Sequence, residues 1–547
     1  MDKRVVIRWT AALCLLLSAC SHPAEEKPDE PLPTLAKLAM LTKSVSLTSG
    51  GEAYVDFKVN PYEAAFDYDV ENGRCAISLS NQYGTDAAFS FRIKRIAPLS
   101  DSYADVGKYR VWLEDSFVKH TYEELCCLQL TDAYGRKSRS DGFKVNCACD
   151  PATRAVLDLG LPLVRIITEN GEEPRCDYVS CPPGCMGGGI RNATKVPGSV
   201  TILSGDEIRY ASGNYKKDAS GMTVKIRGNT SAYPAKKPFK IKLQKKADLL
   251  GRGNDAKYKD KEWLLLRYDQ LKMLAGLKVN ELIGMSWTPA FQFVNLVFNG
   301  DYRGVYMLAE SVKRNEDCRL RVSKAGYVIE YDAYWWNEDV TFTNGWNPSM
   351  AYTFKYPDSD DVTPEEVAYI RKYIGRVESA IVDGTYEQRI DVVSFARWLA
   401  AHDILGSLDG AGSNMYLTKY DATDNSKLAM ANLWDFDGIY QRKDTWATAH
   451  IWGANYFPTL LFSTNPAFRE AYANVCEGNA RTICKVTANY LKNFANSDTG
   501  KALDASLVQD NKRWHGGEVP VEQCYMVAKE WFDSRPGWLL NAVASLR

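Results

Sequence analysis

The segment from Leu405 to Tyr440 constrains the fold most, because two acidic clusters flank a strand-like stretch within it. The first cluster is Asp409 with Asn414 five residues later, and the second is the run Trp434-Asp435-Phe436-Asp437-Gly438. Their carboxylate and carboxamide oxygens are hard ligands, of the kind that Mg²⁺ accepts together with substrate phosphates. The segment therefore predicts two loops, joined by a strand, that together hold a divalent cation.

The spacing of these residues is typical of a phosphoryl-transfer site. Protein kinases use one Asp to accept the proton of the substrate hydroxyl, and an Asn and a later Asp to hold metal. Asp409 and Asn414 reproduce the Asp-x-x-x-x-Asn spacing, and Asp435–Gly438 is similar to the Asp-Phe-Gly element. The usual His-Arg pair is absent, since Ser407-Leu408 precedes Asp409. Each cluster alone also fits a purely structural interpretation: Asp409 and Asn414 an Asx-rich loop after a helix, and Asp435–Gly438 a simple turn.

Residues 1–20 are predicted to be a lipoprotein signal peptide. Ala11–Leu17 is apolar but too short to span a membrane as a helix. Leu17-Ser18-Ala19-Cys20 resembles the bacterial lipobox, which implies cleavage before Cys20 and lipid attachment to its sulfur. The alternative is an ordinary secretory signal that ends in Cys. We expect residues 21–45 to be a flexible tether, and the protein to be lipid-anchored in the cell envelope, periplasmic or surface-exposed.

The composition indicates a globular protein with more than one domain. The chain has 547 residues, of which 45% are hydrophobic and 25% charged. A net charge of −1 lacks the basic excess of nucleic-acid binders, so no nucleic-acid partner is expected. Twelve of the 14 Cys remain once Cys14 and Cys20 are set aside, and an even number in an exported chain permits disulfides. Cys176, Cys181 and Cys185 lack a fourth zinc ligand nearby, which favours partial disulfide pairing.

Residues 46–150 are predicted to form an Ig-like β-sandwich. Ala53–Val59 and Tyr109–Leu113 alternate between apolar and polar residues, as half-buried strands do. Turn signals such as Asn72-Gly73 and Asp141-Gly142 separate the strands. No acid–base cluster stands out in this region, so we expect it to act as a spacer or to bind a partner.

Two alternating strands around residue 230 are predicted to lie on the phosphate side of the site. Thr223–Arg227 ends in Gly228-Asn229-Thr230-Ser231, whose backbone N–H groups and hydroxyls suit phosphate oxygens. In the next strand, Phe239–Leu243, Lys240 and Lys242 share one face. A kinase needs a strand lysine that pairs with the α- and β-phosphates, and the spacing does not choose between these two. The alternative interpretation is a solvated lysine face.

Two glutamates complete the predicted nucleotide side. Glu281 lies on a predicted helix over Leu271–Met285 and is a candidate partner for the strand lysine. Glu310 follows two apolar strands between Val294 and Leu308, which turn at Asn299-Gly300. It falls where a linker between two lobes is expected, so both glutamates are assigned to nucleotide binding.

Several ordered blocks resemble the CotH kinase family of spore-coat-type atypical protein kinases, here in a bacterial lipoprotein form. The similarity covers about Leu161 to the C-terminus, together with the pair Asp409 and Asn414. The matching blocks are IRGNTSAYPAKKPFKIKL, KEWLLLRYDQLKMLAGLKVNELIG, FVNLVFNGDYRGVYMLAESVK, FKYPDSDDVTPEEVAYIRKYI and NLWDFDGIY.

The resemblance implies an α+β, two-lobed atypical protein-kinase-like domain over residues 155–547, with the N-lobe at about 155–312 and the C-lobe at about 313–547. It also implies ATP with Mg²⁺ or Mn²⁺ as cofactors, and Ser or Thr of secreted or coat-type proteins as acceptors. Asp409 matches the catalytic Asp, and Asn414 and Asp435 match the metal positions. Asp437 matches the second Asp of the Trp-Asp-x-Asp block. Arg227 and the strand with Lys240 and Lys242 match the phosphate side.

The same fold leaves room for a function without catalysis. A surface adhesin is one alternative, and a glycan- or protein-binding lipoprotein is the other. Trp335, Trp336 and Trp346 form a cluster whose rings can stack on a sugar or pack among themselves. The intact acidic set around Asp409 and Asp435 favours the kinase.

Overall fold

The computed structural model describes residues 32–546 with short gaps. The gaps are residues 49–51, 64, 65, 67–69, 71, 82–90, 116–121, 149, 150, 186, 206, 254, 268, 316, 345–348, 412, 413, 441–448, 452–456 and 518. Apart from Thr48, the described residues up to Cys147 form one compact unit, and those from Ala148 onward form the other. The predicted signal peptide and Cys20 lie outside the described residues.

The first unit contains two antiparallel sheets with the strand orders β1-β3-β6-β5 and β2-β9-β7-β4, and β8 pairs with β7. Its strands are β1 (Lys37–Met40), β2 (Ser44–Thr48), β3 (Glu52–Asn60), β4 (Ala76–Asn81), β5 (Phe91–Pro98), β6 (Lys108–Asp115), β7 (Tyr122–Thr131), β8 (Lys137–Arg139) and β9 (Phe143–Ala148). Alternate residues of β3, including Val55 and Phe57, are buried, as the sequence pattern predicts. The β-rich prediction is confirmed, and the Ig-like assignment stays a prediction. The predicted tether end at residue 45 is wrong, because β1 and the start of β2 lie before it.

The second unit begins with a sheet that closes on itself. Its strands are β10 (Leu163–Thr168), β13 (Val196–Ser204), β14 (Glu207–Ala211), β15 (Met222–Ile226), β16 (Phe239–Ala247), β17 (Asp260–Leu266), β18 (Phe291–Phe298) and β19 (Asp301–Glu310). β10 pairs with both β18 and β13, so seven of the strands form a ring, in the order β10-β18-β19-β17-β16-β15-β13. Apolar side chains such as Trp263, Ile241 and Leu296 are fully buried and form one cluster among these strands. The last strand of the ring, β19, ends at Glu310, close to the predicted lobe boundary.

A short hairpin interrupts the ring between β10 and β13. It consists of β11 (Asp177–Val179) and β12 (Gly189–Arg191), and its loop carries Cys181 and Cys185. Cys176, Cys181 and Cys185 are free thiols in the structure, so the disulfide expected among them is not formed.

The remainder of the second unit combines a five-stranded sheet with helices. The sheet has the order β21-β22-β20-β23-β24. Its strands are β20 (Tyr327–Asp332), β21 (Thr341–Phe342), β22 (Ala351–Tyr356), β23 (Met415–Lys419) and β24 (Leu428–Met430). The helices of the described chain are α1 (Pro151–Leu157), α2 (Gln270–Leu282), α3 (Pro364–Asp383), α4 (Val392–Leu405), α5 (Phe457–Thr464), α6 (Pro466–Ala495), α7 (Asp498–Trp514) and α8 (Val521–Ala544). None of these helices is long and apolar enough to cross a membrane.

Local sequence explains where the helices next to the site begin and end. α3 starts with a capping box, in which Thr363 Oγ1 accepts the N–H of Glu366 and the Glu366 carboxylate accepts the N–H of Thr363. The Asp391 carboxylate caps α4 by accepting the N–H groups of Val393 and Ser394. α4 ends at Gly406, whose φ of 67° few other residues adopt. α4 is almost entirely buried, as its continuous apolar sequence predicts.

The buried Glu378 in α3 makes the stability of the protein depend on pH. Glu378 is 8% exposed, and burial raises its pKa to about 7 although a hydrogen bond with Asn344 opposes the shift. The folded protein therefore holds this proton more tightly than the unfolded chain, in which Glu titrates at about 4.3. The resulting loss of stability starts as the pH rises above about 4 and is complete above about pH 7.

We expect Glu378→Gln to melt at a higher temperature than the wild type at about pH 8.5, with little difference at about pH 4.5. The exposed Glu387→Gln is the control and should change the melting temperature little at either pH. Melting curves at both pH values test this. A Glu378→Gln protein that is less stable than the wild type at the higher pH would contradict it.

Candidate active site

A cavity of about 780 Å³ lies where the strand ring meets the five-stranded sheet. Five basic and six acidic side chains line it. The ring contributes Lys225, Arg227 and Lys240, and the loop Gly228–Ser231. The other half contributes residues from β20, β22 and β23, and from the segments before β23 and after β24. The cavity is therefore highly ionic, which indicates a charged ligand.

Asp409 reaches this cavity from the end of the buried helix α4. It begins a single turn of 3₁₀ helix, Asp409–Ala411, that follows Gly406. At Gly410 a Cβ atom would lie 2.5 Å from Cε1 of His402, so only glycine lets the turn lie this close to the helix. His402 is 2% exposed and burial lowers its pKa to about 3, so the ring that supports the turn is neutral. The position of Asp409 is thus set by packing against α4.

Asn414 and Asp435 complete the acidic side, and both have left-handed backbones with φ of 61° and 62°. The Asn414 amide approaches the Asp409 carboxylate, with 3.4 Å between Nδ2 and Oδ2. The Asp435 carboxylate accepts the backbone N–H of Asp437, and burial raises the pKa of Asp435. Burial, followed by the charge of Asp435, raises the pKa of Asp409 to about 6. The three predicted residues therefore converge in one site.

The buried Glu330 on β20 supports this cluster, and it lies outside the motifs that the sequence predicts to form the site. One carboxylate oxygen accepts the N–H of Asn414 at 3.1 Å, and the other lies 2.9 Å from Nζ of Lys355 on β22. Asp332 shares the face of Glu330, and burial followed by the charge of Glu330 raises its pKa to about 7. Charged residues at alternate positions of the apolar strand Tyr327–Asp332 are the signal that could have identified this face.

The donor set fits a divalent cation by its chemistry. Asp409 and Asp435 supply carboxylates and Asn414 supplies a carboxamide, and hard oxygens of this kind are what Mg²⁺ binds. Burial, followed by the charge of Asp435, raises the pKa of Asp409, and a nearby cation would offset both effects. Within the described chain no group of three or more His, Cys, Asp or Glu could hold a metal ion. The candidate set therefore consists of two carboxylates and one carboxamide, as expected where phosphates and water complete the coordination.

The structure separates the two candidate lysines of β16. Lys240 lines the cavity and its Nζ lies 2.9 Å from the Glu262 carboxylate, whereas Lys242 is exposed and lies outside the cavity lining. The predicted partner role of Glu281 is wrong in this structure, because Glu281 pairs with Lys278 on its own helix. The partner of Lys240 comes instead from the adjacent strand β17, a pairing that local spacing does not reveal.

Two other predicted site residues lie away from the cavity lining. Glu310 is 1% exposed, and its carboxylate accepts the N–H of Ala290 and pairs with Arg252, each at 3.0 Å. It therefore stabilises the end of β19. Asp437 is exposed, and its backbone carbonyl accepts a hydrogen bond from Lys272 at 2.6 Å. The main chain of Asp437, which bonds to Asp435, is the part that contributes to the site.

The aromatic cluster contributes one residue to the cavity. Trp336 lines it, and the guanidinium of Arg191 lies 5.7 Å from the centre of its ring. Trp335 donates its indole N–H to the carbonyl of Ser349, so it has a structural contact. Trp346 lies outside the described residues.

A family model described as CotH kinase protein matches residues 224–539, which is more than half of the chain. The chain belongs to this family. The CotH match includes Lys240, Asp409, Asn414 and Asp435, and it starts later than Leu161, where the resemblance was expected to begin. No curated protein matches the chain. Among solved structures, bovine butyrophilin aligns with 11% identity over 40% of this chain and 94% of its own, but the TM-score of 0.14 is too low to indicate a shared fold.

Helix α2 of this CotH protein contacts the turn that carries Asp435. A Cβ atom at Gly276 would lie 2.1 Å from Cδ1 of Phe436, the residue that follows Asp435. Alanine normally stabilises a helix by about 1 kcal/mol relative to glycine. At Gly276 we expect the reverse, because the added methyl group displaces a buried ring and overpacking costs about 1–3 kcal/mol.

Gly276→Ala should therefore lower the melting temperature. Gly478→Ala in α6 is the matched control, since a Cβ there meets nothing within 4 Å, and it should raise the melting temperature. Thermal denaturation of both variants tests the contact. Stabilisation by both substitutions would show that Phe436 does not pack on α2 in this way.

Proposed function

We propose that this CotH protein is a kinase that transfers the γ-phosphoryl group of ATP to a Ser or Thr hydroxyl of a secreted or surface protein. One observation carries the proposal: a single cavity combines Arg227 and Lys240 from the strand ring with Asp409, Asn414 and Asp435. Phosphoryl transfer needs cations for the nucleotide phosphates, and it needs oxygen ligands for metal and a base for the acceptor. The family match supports the same activity.

In this proposal the strand ring is the N-lobe of a two-lobed, atypical kinase fold. Lys240 and Arg227 bind phosphate oxygens, and the loop Gly228–Ser231 offers backbone N–H groups and hydroxyls to them. Asn414 and Asp435 are the residues that would hold Mg²⁺ or Mn²⁺. When bound, the cation supplies positive charge that offsets the charge of the phosphates.

Asp409 acts on the acceptor hydroxyl. Burial, with the nearby Asp435, raises its pKa to about 6, so the carboxylate is the main form at neutral pH and is still a stronger base than an exposed Asp. It orients the hydroxyl and accepts its proton as the oxygen attacks the phosphoryl group. The turn that carries Asp409 packs on His402, which is neutral, so Asp409 is held in place without a charged group next to the turn.

Two substitutions with different signatures test these roles. Asp435→Asn should weaken metal-dependent ATP binding as well as transfer, because it removes a ligand charge. Asp409→Asn should leave ATP binding largely intact and reduce transfer by about 10²–10⁴-fold, the usual contribution of a positioned acid or base. The measurements are the ATP-induced thermal shift with Mg²⁺ or Mn²⁺ and the phosphotransfer rate of each purified variant.

Melting each variant without ligand controls for folding. Wild-type transfer by Asp409→Asn, or loss of its ATP binding while it remains folded, contradicts the role of Asp409. If the wild type binds no nucleotide with either metal, a non-catalytic adhesin or glycan-binding protein replaces the kinase proposal. Trp336, which lines the cavity, is the feature that favours a glycan in that case.

We also propose that the protein is anchored to a membrane of the cell envelope by a lipid on Cys20. The support is the sequence Leu17-Ser18-Ala19-Cys20 after a short apolar run. Cys20→Ser should release the protein from the membrane fraction or block its processing, because it removes the sulfur that carries the lipid. Fractionation and the mass of the mature protein test this, and unchanged values for both would overturn it.

A further inference from the structure

Two lysines of the strand ring face each other across neighbouring strands. Lys225 on β15 is the direct partner of Lys240 on β16 in the antiparallel register. Both are half-buried and both line the cavity. Directly opposed side chains have Cβ atoms about 5 Å apart, and like charges at this distance destabilise a sheet. The protein therefore places two positive charges together at a wall of the proposed active site.

The nearby carboxylates do not neutralise this pair. The Glu262 carboxylate lies 2.9 Å from Nζ of Lys240 and 3.7 Å from Nζ of Lys313, so one negative charge is shared by two lysines. The side chain of Lys225 makes no hydrogen bond or ion pair with any described residue. Burial, followed by the charges of Lys240 and Lys195, lowers the pKa of Lys225, and the charges of Glu338 and Glu262 only partly oppose this.

We infer that Lys225 is a second phosphate-binding lysine and that Lys225 and Lys240 together bind the polyphosphate chain of the nucleotide. This inference rests on the proposed kinase function. Two half-buried cations that repel each other are stabilised together by an anion with several charged groups. A polyphosphate offers adjacent charged groups to both lysines, so the charge of Lys225 is expected to contribute more as the number of phosphates rises.

Lys242 provides a matched control on the same sheet. It lies two residues after Lys240 on β16 and opposite Thr223, but it is exposed and does not line the cavity. If both lysines only formed a solvated face, replacing either one would have the same small effect on ligand affinity. If Lys225 binds phosphate, only its replacement lowers the affinity.

Calorimetric titration of the purified protein with ATP, ADP, AMP and inorganic tripolyphosphate, each with Mg²⁺, tests the inference. We expect Lys225→Gln to weaken the binding of ATP and tripolyphosphate by about tenfold or more, and that of AMP by much less. The unliganded variant should melt at the same temperature as the wild type or higher, because a repulsion is removed. Lys242→Gln should change neither quantity, and Lys225→Arg, which keeps the charge, should retain most of the ATP affinity.

The outcomes separate this inference from the kinase proposal. If Lys225→Gln binds ATP as tightly as the wild type while Lys240→Gln does not, the pair is wrong and the single-lysine site stands. If Lys225→Gln loses affinity and also melts well below the wild type, Lys225→Met, which keeps the aliphatic stem, separates the two causes. Restored stability with weak ATP binding supports the phosphate role. Restored ATP binding overturns it. If the wild type binds tripolyphosphate through Lys225 but no nucleotide, the kinase proposal fails and the lysine pair remains.

Discussion

The acidic side of the cavity depends on the buried carboxylate of Glu330. One of its oxygens holds the backbone of Asn414 and the other holds Lys355, so a single side chain connects β20, β22 and the residue before β23. The Tyr416 hydroxyl is a third partner. A carboxylate that is only 6% exposed needs such partners, since an unpaired buried charge loses its hydration without compensation. The amide that approaches Asp409 is therefore positioned by an ion pair outside the predicted motif.

The remaining charges of the cavity are poorly compensated by the protein itself. Burial raises the pKa of Asp332 to about 7 and that of Asp409 to about 6, and it lowers the pKa of Lys225. In each case the ionised form is disfavoured, which means that ionising these groups within the protein carries an electrostatic penalty. A ligand that brings both a cation and several negative groups reduces the penalty on both sides at once. This is the physical reason why a metal–nucleotide complex suits the site better than a neutral sugar.

The residues whose positions could be predicted from the sequence are those that local spacing determines. Asp409 and Asn414 are five residues apart, and β23, β24 and short loops join them to Asp435, so all three line one cavity. The alternation of residues in β16 predicts that Lys240 and Lys242 share one face. Which of the two lines the cavity depends on where the strand ring contacts the five-stranded sheet, and this cannot be predicted from the alternation. The Glu330–Lys355 pair and the closure of the ring by β10 and β13 depend on contacts distant in sequence. The place of Glu281 on a predicted helix does not reveal that the carboxylate next to Lys240 comes from Glu262 on β17.

The backbones of Asn414 and Asp435 are held in an uncommon conformation by hydrogen bonds within the protein. Both residues have a positive φ, which is unfavourable for most side chains but tolerated by Asn and Asp. Each conformation is held by a hydrogen bond from the protein: Glu330 accepts the N–H of Asn414, and Asp435 accepts the N–H of Asp437. Because the protein's own groups make these bonds, the conformation of the two residues does not depend on contacts with a cation. In the proposed kinase, binding energy can then act on the phosphates and the acceptor, which is where phosphoryl transfer requires it.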